Sequence, residues 1–209
     1  MGRRRVMMLI DMNSCVGCMA CVVACIRENI ARQQGGGVEI PEDAVYHART
    51  KPEYAGMELG LTGDTPIFIQ CQHCDNPPCE MVCPTGATYV DEDGVVALDH
   101  DKCVGCRACI AACPYGARTI YRRPLTGEPL SGEEGFQPGY PDKCTFCRHR
   151  KRGDGLWTPA CVEACAFGAR LFGYEEEVLE ASEGRAVRLL EALGTEPKIL
   201  YVLPVKGRR

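Results

Sequence analysis

The stretch Cys103-Val104-Gly105-Cys106-Arg107-Ala108-Cys109-Ile110-Ala111-Ala112-Cys113-Pro114 sets four thiols at the spacing C-x2-C-x2-C-x3-C. The same spacing occurs at Cys15, Cys18, Cys21 and Cys25. The two runs also align outside their cysteines: Asp11 with Asp99, Val16-Gly17 with Val104-Gly105, Ala20 with Ala108, and Ala24 with Ala112. Internal repetition of this kind organises the whole reading.

Two further groups are variants of the unit with an insertion in the middle gap, Cys71, Cys74, Cys79, Cys83 and Cys144, Cys147, Cys161, Cys165. Three groups end alike, in Cys83-Pro84-Thr85-Gly86-Ala87, Cys113-Pro114-Tyr115-Gly116-Ala117 and Cys165-Ala166-Phe167-Gly168-Ala169. Together the four groups use all 16 cysteines of the 209-residue chain. In each, the third and fourth cysteines stand four apart, which puts both on one face of a helical turn.

Disulfides fit this pattern poorly, because clustered C-x2-C triples offer only short, strained loops. Zinc suits isolated C-x2-C pairs and leaves a zinc-bound scaffold as a remote alternative. It does not explain a triple followed three residues later by a fourth cysteine and often by proline, which is the ligand run of bacterial iron–sulfur carriers. No ligand position is taken by another residue type, so four complete [4Fe–4S] clusters are expected. In two-cluster carriers the fourth cysteine of a run reaches the other cluster, so each group needs a partner. Pro84 and Pro114 have no equivalent after Cys25 or Cys165, and proline usage alone pairs group two with three and group one with four.

Composition narrows the function classes. The chain is 45% hydrophobic and 25% charged with net charge −4, an ordinary globular balance that argues against a nucleic-acid-binding surface. The basic run Arg148, Arg150, Lys151, Arg152 reads as a solvated loop. No stretch approaches the roughly 18 apolar residues of a membrane span. Arg3, Arg4 and Arg5 stand too close to Cys15 for an export signal's apolar region and read as a disordered basic start. There is no P-loop, dinucleotide fingerprint or catalytic triad, so the chain is expected to be non-catalytic by itself.

Ile67-Phe68-Ile69 reads as a strand feeding group two, and Ile199 to Val202 as a final strand. The helix carrying Cys21 and Cys25 is expected to run on through Arg27, Glu28 and Asn29 until Gly35, Gly36 and Gly37 break it. Pro84 and Pro114 suggest helix ends at their preceding cysteines. Residues from Gln33 to Pro66 and from Pro124 to Pro141 read as loop-rich spacers, the first with short strands. Val178, Leu179, Val187, Leu190 and Leu193 suggest one amphipathic helix interrupted by Gly184 and closed by Gly194.

Over its whole length the chain resembles the four-cluster iron–sulfur subunits of the dimethyl sulfoxide reductase family, including those of polysulfide, thiosulfate, tetrathionate and arsenate reductases. All sixteen motif cysteines match. So do Cys74-Asp75-Asn76-Pro77-Pro78-Cys79, Lys143-Cys144-Thr145-Phe146-Cys147, Pro159-Ala160-Cys161-Val162-Glu163 and Pro197-Lys198. Ala166, where many relatives carry proline, and the two spacers depart from the pattern.

The resemblance implies an α+β fold of two nested bacterial-ferredoxin-like modules with loop-rich insertions, short helices and short strands. Residues 1–30 with 142–175 would form the outer module and 67–120 the inner. Residues 31–66 and 121–141 would be insertions, and 176–209 a C-terminal helix and strand. It further implies that Cys15, Cys18 and Cys21 share a cluster with Cys165, and Cys144, Cys147 and Cys161 with Cys25. Likewise it joins Cys71, Cys74 and Cys79 to Cys113, and Cys103, Cys106 and Cys109 to Cys83. The implied partners are a molybdopterin (Mo or W) catalytic subunit and a quinone-reactive integral membrane anchor, in anaerobic respiration of a sulfur compound or similar acceptor. Location is then peripheral on the cytoplasmic membrane, at the extracytoplasmic face by co-export, with the cytoplasmic face open. The corresponding subunit of a hydrogenase or formate dehydrogenase complex is the alternative.

Among single residues, His73 and His149 lie beside cysteines, where plain packing or solvent contact competes with a hydrogen bond to sulfur. Lys102 and Lys143 precede first cysteines and either offset cluster charge or sit at the surface. Trp157 reads as core packing, and His47 and His100 receive no role.

Overall fold

A computed structural model describes residues 5–30, 48–54, 65–120, 139–153 and 155–204. The readings for Arg3, Arg4, His47, the break at Gly35 to Gly37, most of both spacers and residues 205–209 lie outside the described residues.

In chain order the elements are β1 (Val6–Asp11), α1 (Ala20–Asn29), β2 (Thr50–Glu53), β3 (Ile67–Gln70), α2 (Pro78–Met81), β4 (Thr88–Val90), β5 (Val96–Leu98), α3 (Ala108–Ala111), β6 (Thr119–Ile120), β7 (Pro141–Asp142), α4 (Ala160–Glu163), β8 (Arg170–Tyr174), α5 (Glu175–Ala181), β9 (Val187–Arg188) and β10 (Ile199–Val202). This is a small mixed α/β structure of short elements, consistent with a ferredoxin-like [4Fe–4S] domain.

One sheet runs β8-β1-β10-β9, with β1 parallel to β10 and antiparallel to β8. Its central strands are buried continuously from Val6 to Ile10 and from Ile199 to Val202 because both faces are covered. Val6, Met8 and Ile10 of β1 join Ile199 and Tyr201 of β10 in the main core, while Met7 and Leu9 join Leu200, Val202 and Val178 of α5 on the other face. Arg5, expected in a disordered start, is instead tied down: its carbonyl accepts from the Glu175 N–H and its guanidinium pairs with Asp75 at 2.8 Å. Among the described residues, three antiparallel pairs, β2–β3, β4–β5 and β6–β7, complete the pairing.

The cysteine-bearing helices meet in pairs, α1 against α4 and α2 against α3. Helices α2, α3 and α4 stop two residues before their fourth cysteine, whether or not proline follows. What the three ends share is a glycine with positive φ, Gly86 at 65°, Gly116 at 58° and Gly168 at 62°. Its N–H bonds back to the carbonyl of the fourth cysteine three residues earlier. Cys25 lacks that glycine, and α1 accordingly continues to Asn29 as expected.

The expected helix through Val178, Val187 and Leu193 is not formed as one element. It ends at Ala181, where Glu183 (φ 50°) and Gly184 (φ 67°) turn the chain. Val187 then pairs with Tyr201 in the sheet, and Glu191–Leu193 form a single 3-10 turn. The strands at Ile67 and Ile199 form as read. No helix among the described residues is long and apolar enough to cross a membrane.

Candidate metal centres

Each cysteine group wraps a turn in which the residue before the second cysteine has positive φ: Gly17 (70°), His73 (46°), Gly105 (67°) and Phe146 (54°). This conformation turns backbone N–H groups toward the thiols. Phe146 N–H donates to Cys144 Sγ at 3.4 Å, and the Gly17 and His73 N–H groups bond Cys15 and Cys71 in the same way. Beyond the fourth cysteine of group two, Thr88 N–H reaches Cys83 Sγ at 3.4 Å, and in group one Asn29 Nδ2 reaches Cys25 Sγ at 3.5 Å.

The cavities between these turns take walls from two groups at a time. One is lined by Cys15, Cys18, Cys21 and Cys165 together with Phe68 and Arg170. A second is lined by Cys25, Cys144, Cys147 and Cys161 with Asn29, Arg49, Thr50 and Gln70. A third is lined by Cys83, Cys103, Cys106 and Cys109 with Leu98 and Pro141. For the remaining four, Cys71, Cys79 and Cys113 all bear electrostatically on Cys74.

Burial dominates the acid–base state of these thiols. It pushes Cys25 up to about 12, Cys74 to about 12 and Cys147 to about 11, with neighbouring thiols adding to the effect. A buried thiol of this kind gives up its proton to solvent when a cation stabilises the thiolate left behind, as a metal centre does. Four thiols around each cavity, N–H donors aimed at sulfur and nearby buried guanidinium groups together fit a [4Fe–4S] cluster, whose thiolate complex carries about −2 when oxidised.

Three arginines not singled out in the sequence stand at these cavities. Arg49 is clamped by Asp142 at 2.7 and 3.0 Å and donates to Asn29 Oδ1 at 2.7 Å. Arg170 donates to Gln70 Oε1 at 3.0 Å and Thr50 Oγ1 at 3.2 Å. Arg118 is buried, and its three guanidinium nitrogens have no hydrogen-bond partner among the described residues. A signal existed for two of them, since both matching group ends continue one residue further as Gly116-Ala117-Arg118 and Gly168-Ala169-Arg170.

The other singled-out side chains divide as follows. His73 Nδ1 accepts the Val96 N–H at 3.1 Å, and burial with nearby Lys143, Lys198 and Arg118 holds the ring neutral. His149 binds Glu28 at 2.6 Å rather than sulfur, and Arg150 ties Glu28 to Glu163. Lys102 is an exposed surface residue paired with Asp99. Lys143 is buried and donates to the Val96 and Cys144 carbonyls, close enough to favour the Cys71 thiolate. Trp157 packs on Phe172 and donates to the Phe146 carbonyl at 2.7 Å. His100 is buried, and its ring nitrogens have no hydrogen-bond partner among the described residues.

Residues 67–127 match the family model described as a 4Fe-4S dicluster domain. Over nearly the whole length, the chain is similar to a polysulfide reductase subunit of Wolinella succinogenes, 38% identical across 95% of this chain and 94% of that one. It is also similar to a selenate reductase subunit of Mesobacillus selenatarsenatis, 38% identical over 93% of this chain and 70% of that protein. A tetrathionate reductase subunit of Salmonella typhimurium is 36% identical over 99% of this chain and 78% of its own length.

Proposed function

Because this chain belongs to the iron–sulfur subunits of the dimethyl sulfoxide reductase family, we propose that it is an electron-transfer subunit holding four [4Fe–4S] clusters in crossed ligand sets. The sets are Cys15, Cys18, Cys21 with Cys165; Cys144, Cys147, Cys161 with Cys25; Cys71, Cys74, Cys79 with Cys113; and Cys103, Cys106, Cys109 with Cys83. The reading is supported above all by the cavity that joins Cys25 to Cys144, Cys147 and Cys161 across more than one hundred residues of chain. The pairing of α1 with α4 and α2 with α3 agrees with two nested modules, 1–30 with 142–175 around 67–120.

When bound, each cluster supplies a one-electron store. The protein's own part is to bury the thiols, aim N–H groups at sulfur and balance negative charge with Arg49, Arg118, Arg170 and Lys143. Cys18 and Cys106 are the two exposed cysteines, one in the set of Cys15 and one in the set of Cys103, so these two sites come nearest the outside. Such an array suits relay between a molybdopterin catalytic subunit and a quinone-reactive membrane anchor, in reduction of a sulfur compound or similar acceptor. Attachment to the membrane is then peripheral, through the partners, at the extracytoplasmic face.

Iron and acid-labile sulfide analysis of anaerobically prepared chain tests this, with about sixteen of each expected. Stoichiometric zinc with negligible iron contradicts it. The isolated chain is expected to accept electrons from artificial donors yet turn over no acceptor substrate.

A further inference from the structure

Buried cations near thiols are not all alike. The charge of Arg49 is answered by Asp142, whose two oxygens it grips. No carboxylate pairs with Arg118 or Arg170 among the described residues. Each follows the fourth cysteine of its group by five residues and directly follows the Gly-Ala turn, Cys113 to Arg118 and Cys165 to Arg170. They are therefore equivalent positions in two repeats.

Thiols of two ligand sets bear on each of them. Arg170 lines the cavity of Cys15, Cys18, Cys21 and Cys165, while its hydrogen-bond acceptors, Gln70 and Thr50, line the cavity of Cys25, Cys144, Cys147 and Cys161. It stands in the wall between the two. Arg118 is buried with Cys79, Cys109 and Cys71 as the thiols acting on it, two from one proposed ligand set and one from the other. Its three nitrogens have no hydrogen-bond partner among the described residues, and the groups acting on its charge are these thiols.

We propose that Arg118 and Arg170 are potential-setting residues of this carrier, one buried arginine at the shared repeat position for each pair of cluster sites, raising the reduction potentials of both members of its pair together. The proposal rests on the ligand sets given above. A cluster gains one negative charge on reduction, and a fixed positive charge in a poorly screened interior favours that state. A guanidinium keeps its charge throughout the accessible pH range. Position makes the effect specific: the thiols acting on each guanidinium belong to its own pair.

The test uses the full chain with its iron, in Arg118→Gln and Arg170→Gln, with Arg118→Lys and Arg170→Lys as charge-keeping variants. Iron and sulfide are assayed first, and each protein is then titrated potentiometrically with EPR detection. With iron retained, Arg118→Gln is expected to lower the reduction equilibrium constants of two clusters at least tenfold, about 59 mV for a one-electron couple, and leave two unchanged. Arg170→Gln is expected to move the complementary two, and the lysine variants less than either. The proposal is overturned if iron is retained and no step moves, if one step alone or all four move, or if lysine shifts the steps as far as glutamine. Should glutamine cost iron, the lysine variants decide: retained iron with steps near wild type supports the proposal, and iron loss there too assigns the arginines a structural role and overturns it. Wild-type chain with far less than about sixteen iron overturns the four-cluster reading instead, before any variant is titrated.

Discussion

The imidazole of His73 stacks on the ring of Phe146, with centroids 3.8 Å apart and planes 25° apart. The two residues hold the same place in groups two and four, and both adopt the positive φ of that place. Groups one and three have Gly17 and Gly105 there, beside the exposed Cys18 and Cys106. Glycine thus serves where the turn meets the outside, and an aromatic pair fills the same position where two repeats meet in the interior.

That stack is expected to couple the two groups energetically. In a double-mutant cycle of His73→Asn and Phe146→Leu, followed by denaturant-induced loss of visible absorbance, a coupling of about 0.5–1.5 kcal/mol is expected. Additive effects would show that the two rings pack independently.

His73 also gives a pH dependence with a definite sign. Burial holds its pKa well below the ordinary value in the folded chain, whereas the unfolded chain takes up that proton near pH 6.5. Its contribution is therefore complete above about pH 6.5 and declines as pH falls toward the folded pKa. Asparagine tolerates positive φ and offers an acceptor to the Val96 N–H. Wild type is expected to lose about 1 kcal/mol more than His73→Asn between about pH 6.5 and 5.5. Parallel stability profiles would refute the assignment.

The shared Gly-Ala turn predicts a purely conformational cost. Among the described residues, chain neighbours aside, no atom stands within 4 Å of a Cβ added at Gly116 or Gly168, yet both have positive φ. Gly168→Ala is expected to lower stability by about 1–2 kcal/mol, and Gly168→Asn by less. Equal losses in the two variants would point to crowding instead.

Removing the carboxylate opposite Arg49 tests the charge balance from the other side. Asp142→Asn keeps the shape while removing one negative charge from beside Arg49, Cys25 and Cys144. One reduction step is expected to rise, by about tenfold in its equilibrium constant or 59 mV, and stability to fall by about 3 kcal/mol. An unchanged potential would mean that the Asp142 charge is screened from that site.

The cysteine groups were legible because ligand spacing is a local matter: a helical turn fixes which thiols share a face, and the Gly86, Gly116 and Gly168 turns end the helices wherever proline stands. Strand β1 was not legible, since Val6 to Ile10 is buried on both faces and shows no alternation, and its partner β10 lies at the far end of the chain. For the same reason Val187 read as helix although it pairs across the sheet with Tyr201. Arg118 and Arg170 escaped notice because arginine is surface by default, and only their place one residue beyond a repeated ending marked them. Arg49 sits in a stretch without period, and its partner Asp142 is more than ninety residues away.

The crossed ligation is tested most directly by a crystal structure of the anaerobically prepared chain, with the metals located by anomalous scattering at the iron edge. Four four-iron clusters are predicted, with Cys25 Sγ bonded to the cluster of Cys144, Cys147 and Cys161, and Cys165 Sγ bonded to that of Cys15, Cys18 and Cys21. A single cluster held by Cys15, Cys18, Cys21 and Cys25 would contradict both the ligand sets and the nesting of the two modules.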